Sequence, residues 1–107
     1  MISKKLQEFR NLLLEVTGKV YHYYHQAEDE TYIVWTENGE GETQHGDNHK
    51  QEVALHFSVE LFTKTEYSPV LDALTEKLNE SRFAFEYTGV DFEVDTGYIH
   101  HSLEVYG

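Results

Sequence analysis

The chain has 107 residues, of which 8 are Lys or Arg and 20 are Asp or Glu, giving a formal net charge of −12. That length bounds a single domain with one core, and 39% apolar residues with eight Tyr, six Phe and one Trp are enough to pack it, which argues against global disorder. The absence of cysteine excludes disulfides, thiolate zinc sites and cysteine nucleophiles, and basic residues scattered singly apart from Lys4–Lys5 argue against tight nucleic-acid binding, which needs clustered cations.

The opening MISKKLQEFR carries two lysines with no long apolar run behind them, because LLLEV is cut by Glu15. Neither a signal peptide nor a membrane span is expected. Within residues 3–16, Leu6, Phe9, Leu13 and Val16 fall at helical spacing, with Leu12 widening the stripe. They predict an amphipathic helix, Ser3 as its N-cap and Gly18 near its end. VYHYY (20–24) and TYIVWTE (31–37) are β-branched and aromatic, and predict two strands joined by a short loop.

The polar, glycine-bearing stretch 38–50 predicts a long loop. From Gln51 to Thr63, Val53, Leu55, Phe57, Val59 and Leu61 alternate with more polar neighbours, which predicts a long, central strand. The period then changes. Ser68 suits an N-cap, Pro69 suits a first turn, and Val70, Leu71, Leu74 and Leu78 form a helical stripe. Asp72 and Lys77 lie near the helix ends that their charges favour. Residues 82–94 and 97–106 predict a terminal hairpin about DTG. The expected fold is therefore α+β, a mostly antiparallel sheet of about five strands with two helices packed on one face, in the order α-β-β-β-α-β-β.

Seven histidines invite a metal site. His22 and His25 are three apart on a predicted strand, where odd spacing sends side chains to opposite faces. His100 and His101 diverge for the same reason, and His45 and His49 lie in the predicted loop, so the converging ligands that zinc requires are not expected. No nucleophile elbow, phosphate-cradling loop or dinucleotide fingerprint occurs. Glu93 and Asp95 share a strand face, yet exposed acidic stripes are far commoner than catalytic dyads. No enzyme activity, metal or cofactor is expected. Tyr23, Tyr24 and Trp35 stand among strand aromatics that cannot all face a core, and Tyr and Trp are typical interface anchors.

VELFTKTEYSP, VLDALTEKLNE and TGYIHHSLEV, with the order of elements along nearly the whole chain, resemble the tail-terminator (tail completion, head–tail joining) proteins of siphophages and Gram-positive prophages. The resemblance implies a structural, non-enzymatic subunit. It would form a ring, usually hexameric, that caps the tail tube and meets the head connector in the virion tail, after a period in the bacterial host cytoplasm. Its implied partners are tail-tube and head-connector proteins. A minor capsid or connector-stopper role belongs to the same gene neighbourhood. A negative lumen would let DNA slide without adhering, which makes Glu40, Glu42 and Asp47 channel-facing or interface candidates. From a different class comes an acidic monomeric inhibitor or adaptor that mimics DNA or binds another protein. A small-ligand or metal-binding enzyme is a third reading.

Overall fold

The computed structural model describes residues 2–25, 29–40 and 54–107, with Glu40 described in its backbone only. The elements are α1 (Ile2–Leu14), β1 (Val20–His22), β2 (Thr31–Glu40), β3 (Leu55–Thr63), α2 (Pro69–Glu80), β4 (Ala84–Phe92) and β5 (Ile99–Tyr106). They form the expected α+β arrangement, with one five-stranded sheet in the order β1-β2-β3-β5-β4 and both helices packed on one face.

Alternation in β3 sets the layers. Leu55, Phe57, Val59, Leu61 and Thr63 are buried beneath the helices, while His56, Ser58, Glu60 and Phe62 between them face the other side. Phe9 of α1 enters this core, its ring 4.2 Å from Phe57, 5.2 Å from Phe83 and 5.6 Å from Trp35. Leu74 and Leu78 of α2 are also fully buried. The strand expected to be central is central, between β2 and β5 and antiparallel to both.

Helix α2 starts as its sequence predicts. Pro69 occupies the first turn, and the Ser68 hydroxyl accepts a hydrogen bond from the Val70 N–H at 3.2 Å. Ser68 is buried, so water does not replace the cap when it is removed. Ser68→Ala is expected to cost about 1 kcal/mol of unfolding free energy, measured by urea denaturation.

Three local expectations are corrected. Ser3 lies inside α1, one residue past its start, and does not cap it. Residues 38–40 continue β2 and are not loop: a bulge between Glu37 and Gly39, with Gly39 at φ 107°, keeps the ladder to β3 in place. The rest of that predicted loop, and the start of the predicted strand at Gln51, lie outside the described residues. Finally, β1 pairs with β2 in parallel. Parallel neighbours ordinarily need a long crossover, but β1 is only three residues long, so a short length of connecting chain suffices to return to its start.

That connection is tied down by Asp29. Its carboxylate accepts a hydrogen bond from the Tyr21 hydroxyl at 2.9 Å and lies 3.2 Å from His25 Nε2 and 3.5 Å from Lys19 Nζ. The Tyr98 hydroxyl donates to its carbonyl. The bond from Tyr21 holds the Asp29 carboxyl below its ordinary range, against a smaller opposing effect of burial.

Candidate interaction surface

Strand β4 forms one edge of the sheet. Its partner register with β5 puts Phe85, Tyr87, Val90 and Phe92 on the helix side, opposite Val105, Leu103, His101 and Ile99. A bulge between Tyr87 and Gly89 shifts the phase, so the apolar positions are 85, 87, 90 and 92 rather than a strict alternation. The helices cover the sheet's centre, and cover fades along this strand. Phe85 is half-buried and packs on the core, whereas Tyr87 is 45% exposed, Val90 58%, Phe92 57% and the following Val94 82%.

Isolated exposed apolar side chains are ordinary on soluble proteins. Three of them on an edge strand, with Val94 in the turn that follows, are a different matter, because such an edge also offers unpaired backbone groups to another chain. The hairpin is well fixed. The Tyr87 hydroxyl lies 2.8 Å from His101 Nδ1, the Thr88 hydroxyl donates to the Ser102 carbonyl at 3.1 Å, and Gly97 closes the turn at φ 81°. Burial, and to a smaller degree neighbouring His100, pushes the His101 imidazole below its ordinary value.

The sheet face away from the helices is polar and internally paired. His56 hydrogen-bonds Glu104, whose carboxylate also accepts from Ser58. His100 Nε2 lies 2.7 Å from Glu60, and its Nδ1 lies 3.9 Å from Glu93. Each close His–Glu pair is a diagonal contact between β3 and β5, the spacing at which long side chains meet across antiparallel strands. At one end of this face Tyr32, Phe62, Tyr98 and His100 cluster, with Phe62 and His100 stacked at 4.3 Å. Tyr32 is nearly buried there, and burial with the nearby Tyr98, Glu93 and Asp29 pushes its hydroxyl up to about 12.

The expected histidine divergence is found. His22 stacks on Trp35 at 3.8 Å, whereas His25 stacks on Tyr21 at 3.5 Å. His100 lies against Phe62, and His101 against Tyr87. Among the described residues no group of three or more His, Asp or Glu is arranged to hold a metal. No described helix is long and apolar enough to cross a membrane.

Of the residues singled out from sequence, Tyr23 and Tyr24 are exposed at 60% and 75% beside β1. Trp35 is corrected: at 2% exposure it belongs to the core beneath α1 and offers nothing to a partner. It sits on the helix side of β2, opposite Val59, and its neighbour Tyr32 takes the other face. Glu42 and Asp47 lie outside the described residues, as does the Glu40 side chain.

Tyr23 leaves β1 at φ 75°, and its hydroxyl hydrogen-bonds Glu37, which His22 Nε2 also approaches at 2.6 Å. Burial pushes the Glu37 carboxyl up, but the bonds from Tyr23 and His22 together outweigh it and hold the group below its ordinary range. A lowered folded value means that this stabilisation is present above the unfolded carboxylate range and is lost as pH falls through the folded value. Tyr23→Phe is expected to raise the Glu37 midpoint, read by carboxyl NMR titration, and to move the onset of acid unfolding to higher pH.

The exposed apolar row was not foreseen from sequence. Its signal, four apolar residues within Tyr87–Val94 broken in phase by Thr88–Gly89, is visible only once β4 is known to be an edge. The arrangement is suited to binding protein, by strand pairing or apolar contact. Comparison of the sequence with models of known protein families and with curated proteins gives no match.

Proposed function

We propose that this chain is a structural subunit that works by assembling with copies of itself, as a tail-terminator-like cap on a phage or prophage tail tube. The observation that carries this is the exposed row Tyr87, Val90 and Phe92 on an edge strand, continued by Val94 in the following turn, a surface that costs solubility unless something covers it. The resemblance in element order supports the kind of assembly, a closed ring that meets tail-tube and head-connector proteins in the virion tail. The proposal includes no catalytic chemistry, metal or cofactor.

Glu40, Glu42 and Asp47 are our candidates for the channel lining of such a ring, on the ground that carboxylates repel phosphate. The alternative of an acidic DNA mimic is weaker. On the exposed sheet face Glu60 and Glu104 are each engaged by a histidine, which interrupts the line of bare charge that a mimic would present. Native mass spectrometry of the purified chain tests assembly. One closed oligomer is expected, six copies being the number the resemblance implies, and an unbounded series of sizes would contradict a cap.

A further inference from the structure

The histidines of this chain are not alike. His22 lies against Glu37, His25 against Asp29, His56 against Glu104 and His100 against Glu60. His101 is the exception. Among the described residues no carboxylate stands within ion-pair distance of it, and its polar contact is the Tyr87 hydroxyl, 2.8 Å from Nδ1.

The strand's alternation explains the difference. His100 projects from the polar face, where Glu60 lies, and His101 from the helix side. There the register partners of His101 are Leu61 of β3 and Val90 of β4. Leu61 is fully buried and Val90 is exposed, so the half-buried imidazole sits at the border where helical cover ends and the apolar row begins. The nearest acids of the sheet, Glu60, Glu86 and Asp91, belong to the opposite face. In the helical layer Glu8 and Glu15 are held by Arg82 and Lys77, and Asp72, Glu76 and Glu80 of α2 make no ion pair with the imidazole. Besides burial, the charge that acts on His101 is that of neighbouring His100.

We propose that association through the β4 edge requires a neutral His101, so that protons release the assembly. This rests on the assembly reading above and adds its control. In the free chain the imidazole keeps one side open to water, which can hydrate an added charge. A second copy that covers Tyr87 and Val90 closes that side. A proton on His101 then puts an ion into an apolar contact, with a neutral hydroxyl beside it and no counter-charge, which is far costlier than burying the neutral ring. On the other four described histidines a proton makes an ion pair with the carboxylate already present.

The sign follows from linkage. Assembly lowers the His101 value further, so association is strongest above the free chain's value and is lost as pH falls through it. Net charge alone acts the other way. Protonating histidines makes each copy less negative than −12, which weakens the repulsion between copies and favours association.

Sedimentation velocity at about pH 7 and about pH 5, a window above the ordinary carboxylate range near 4, separates the two. With about 0.15 M salt, the wild-type dissociation constant is expected to rise about tenfold per contact across that window, the effect of one proton over one pH unit. His101→Gln keeps a polar group for Tyr87 but cannot take the charge, and its association is expected not to weaken. Histidine NMR titration of the wild type, below and above the concentration at which it associates, is expected to give a lower His101 midpoint in the assembled protein and does not depend on the variant folding. Wild-type association that is unchanged or tighter at about pH 5, an equal loss in His101→Gln, or an equal midpoint in free and assembled protein would overturn the proton control and leave the assembly reading standing. A wild-type chain that is monomeric at about pH 7 at every concentration would overturn both.

Discussion

Val90→Asp combined with Phe92→Asp is expected to abolish self-association while leaving the monomer folded. Both side chains are more than half exposed, at 58% and 57%, so the monomer gains little from them. Surface changes of this kind usually shift stability by no more than about 0.5 kcal/mol. In an interface the same positions would be buried, and each would then exchange an apolar contact for a desolvated carboxylate. A loss of about 2 kcal/mol at each, typical of interface hot spots, weakens association by roughly three orders of magnitude. Sedimentation velocity reads the association, and far-ultraviolet circular dichroism confirms the fold. Unchanged assembly would place the interface elsewhere, with the exposed pair Tyr23 and Tyr24 the next surface to substitute.

Phe9→Ala is expected to have the largest effect on stability. Phe9 is fully buried, and its ring meets Trp35, Phe57 and Phe83, which come from β2, β3 and the approach to β4. With Leu13, it is one of the two fully buried residues by which α1 packs on the sheet. Truncating a buried aromatic costs about 3–5 kcal/mol, a transfer loss plus the cavity left behind. A domain of this size is stable by about 5–15 kcal/mol, so the variant is expected to retain a folded population but to melt much earlier. With a urea slope of about 1–3 kcal/mol per molar, the midpoint should fall by at least about 1 M. A smaller shift would mean that α1 is held mainly by Leu13 and its half-buried neighbours Leu6 and Leu12.

Much of this architecture is legible in the sequence because its local signals agree. The switch at Ser68–Pro69 from period two to a helical stripe marks the start of α2 to the residue. The alternation in β3 identifies both its core face and its central position. Features that depend on pairing were not legible. A three-residue β1 lying parallel to β2 has no sequence signature, since its direction shows only in its pairing with Ile33–Trp35 of the neighbouring strand. Trp35 and Tyr32 are close in sequence and equally aromatic, yet one is core and the other lies on the opposite face.

The candidate surface was hidden for the same reason. Among the described residues the close histidine–carboxylate pairs mostly join residues far apart in sequence, as His22 with Glu37, His56 with Glu104 and His100 with Glu60, though His25 with Asp29 is local. A search for metal spacing along the chain therefore looks at the wrong neighbours. Residues 84–94 read as an ordinary half-buried strand until the sheet order shows that nothing in the chain lies beyond β4 among the described residues.

Light scattering behind size exclusion, across protein concentration and salt, tests assembly through this edge most directly. At low ionic strength, copies carrying −12 each repel one another at long range. At about 0.15 M salt the screening length falls to about 8 Å, which removes most of that repulsion while sparing contacts between touching charges. At about 1 M it is near 3 Å, and contacts between touching charges weaken too. The expected result is a concentration-dependent oligomer whose yield is greatest at intermediate salt. A monomer at every concentration and every salt would contradict the account.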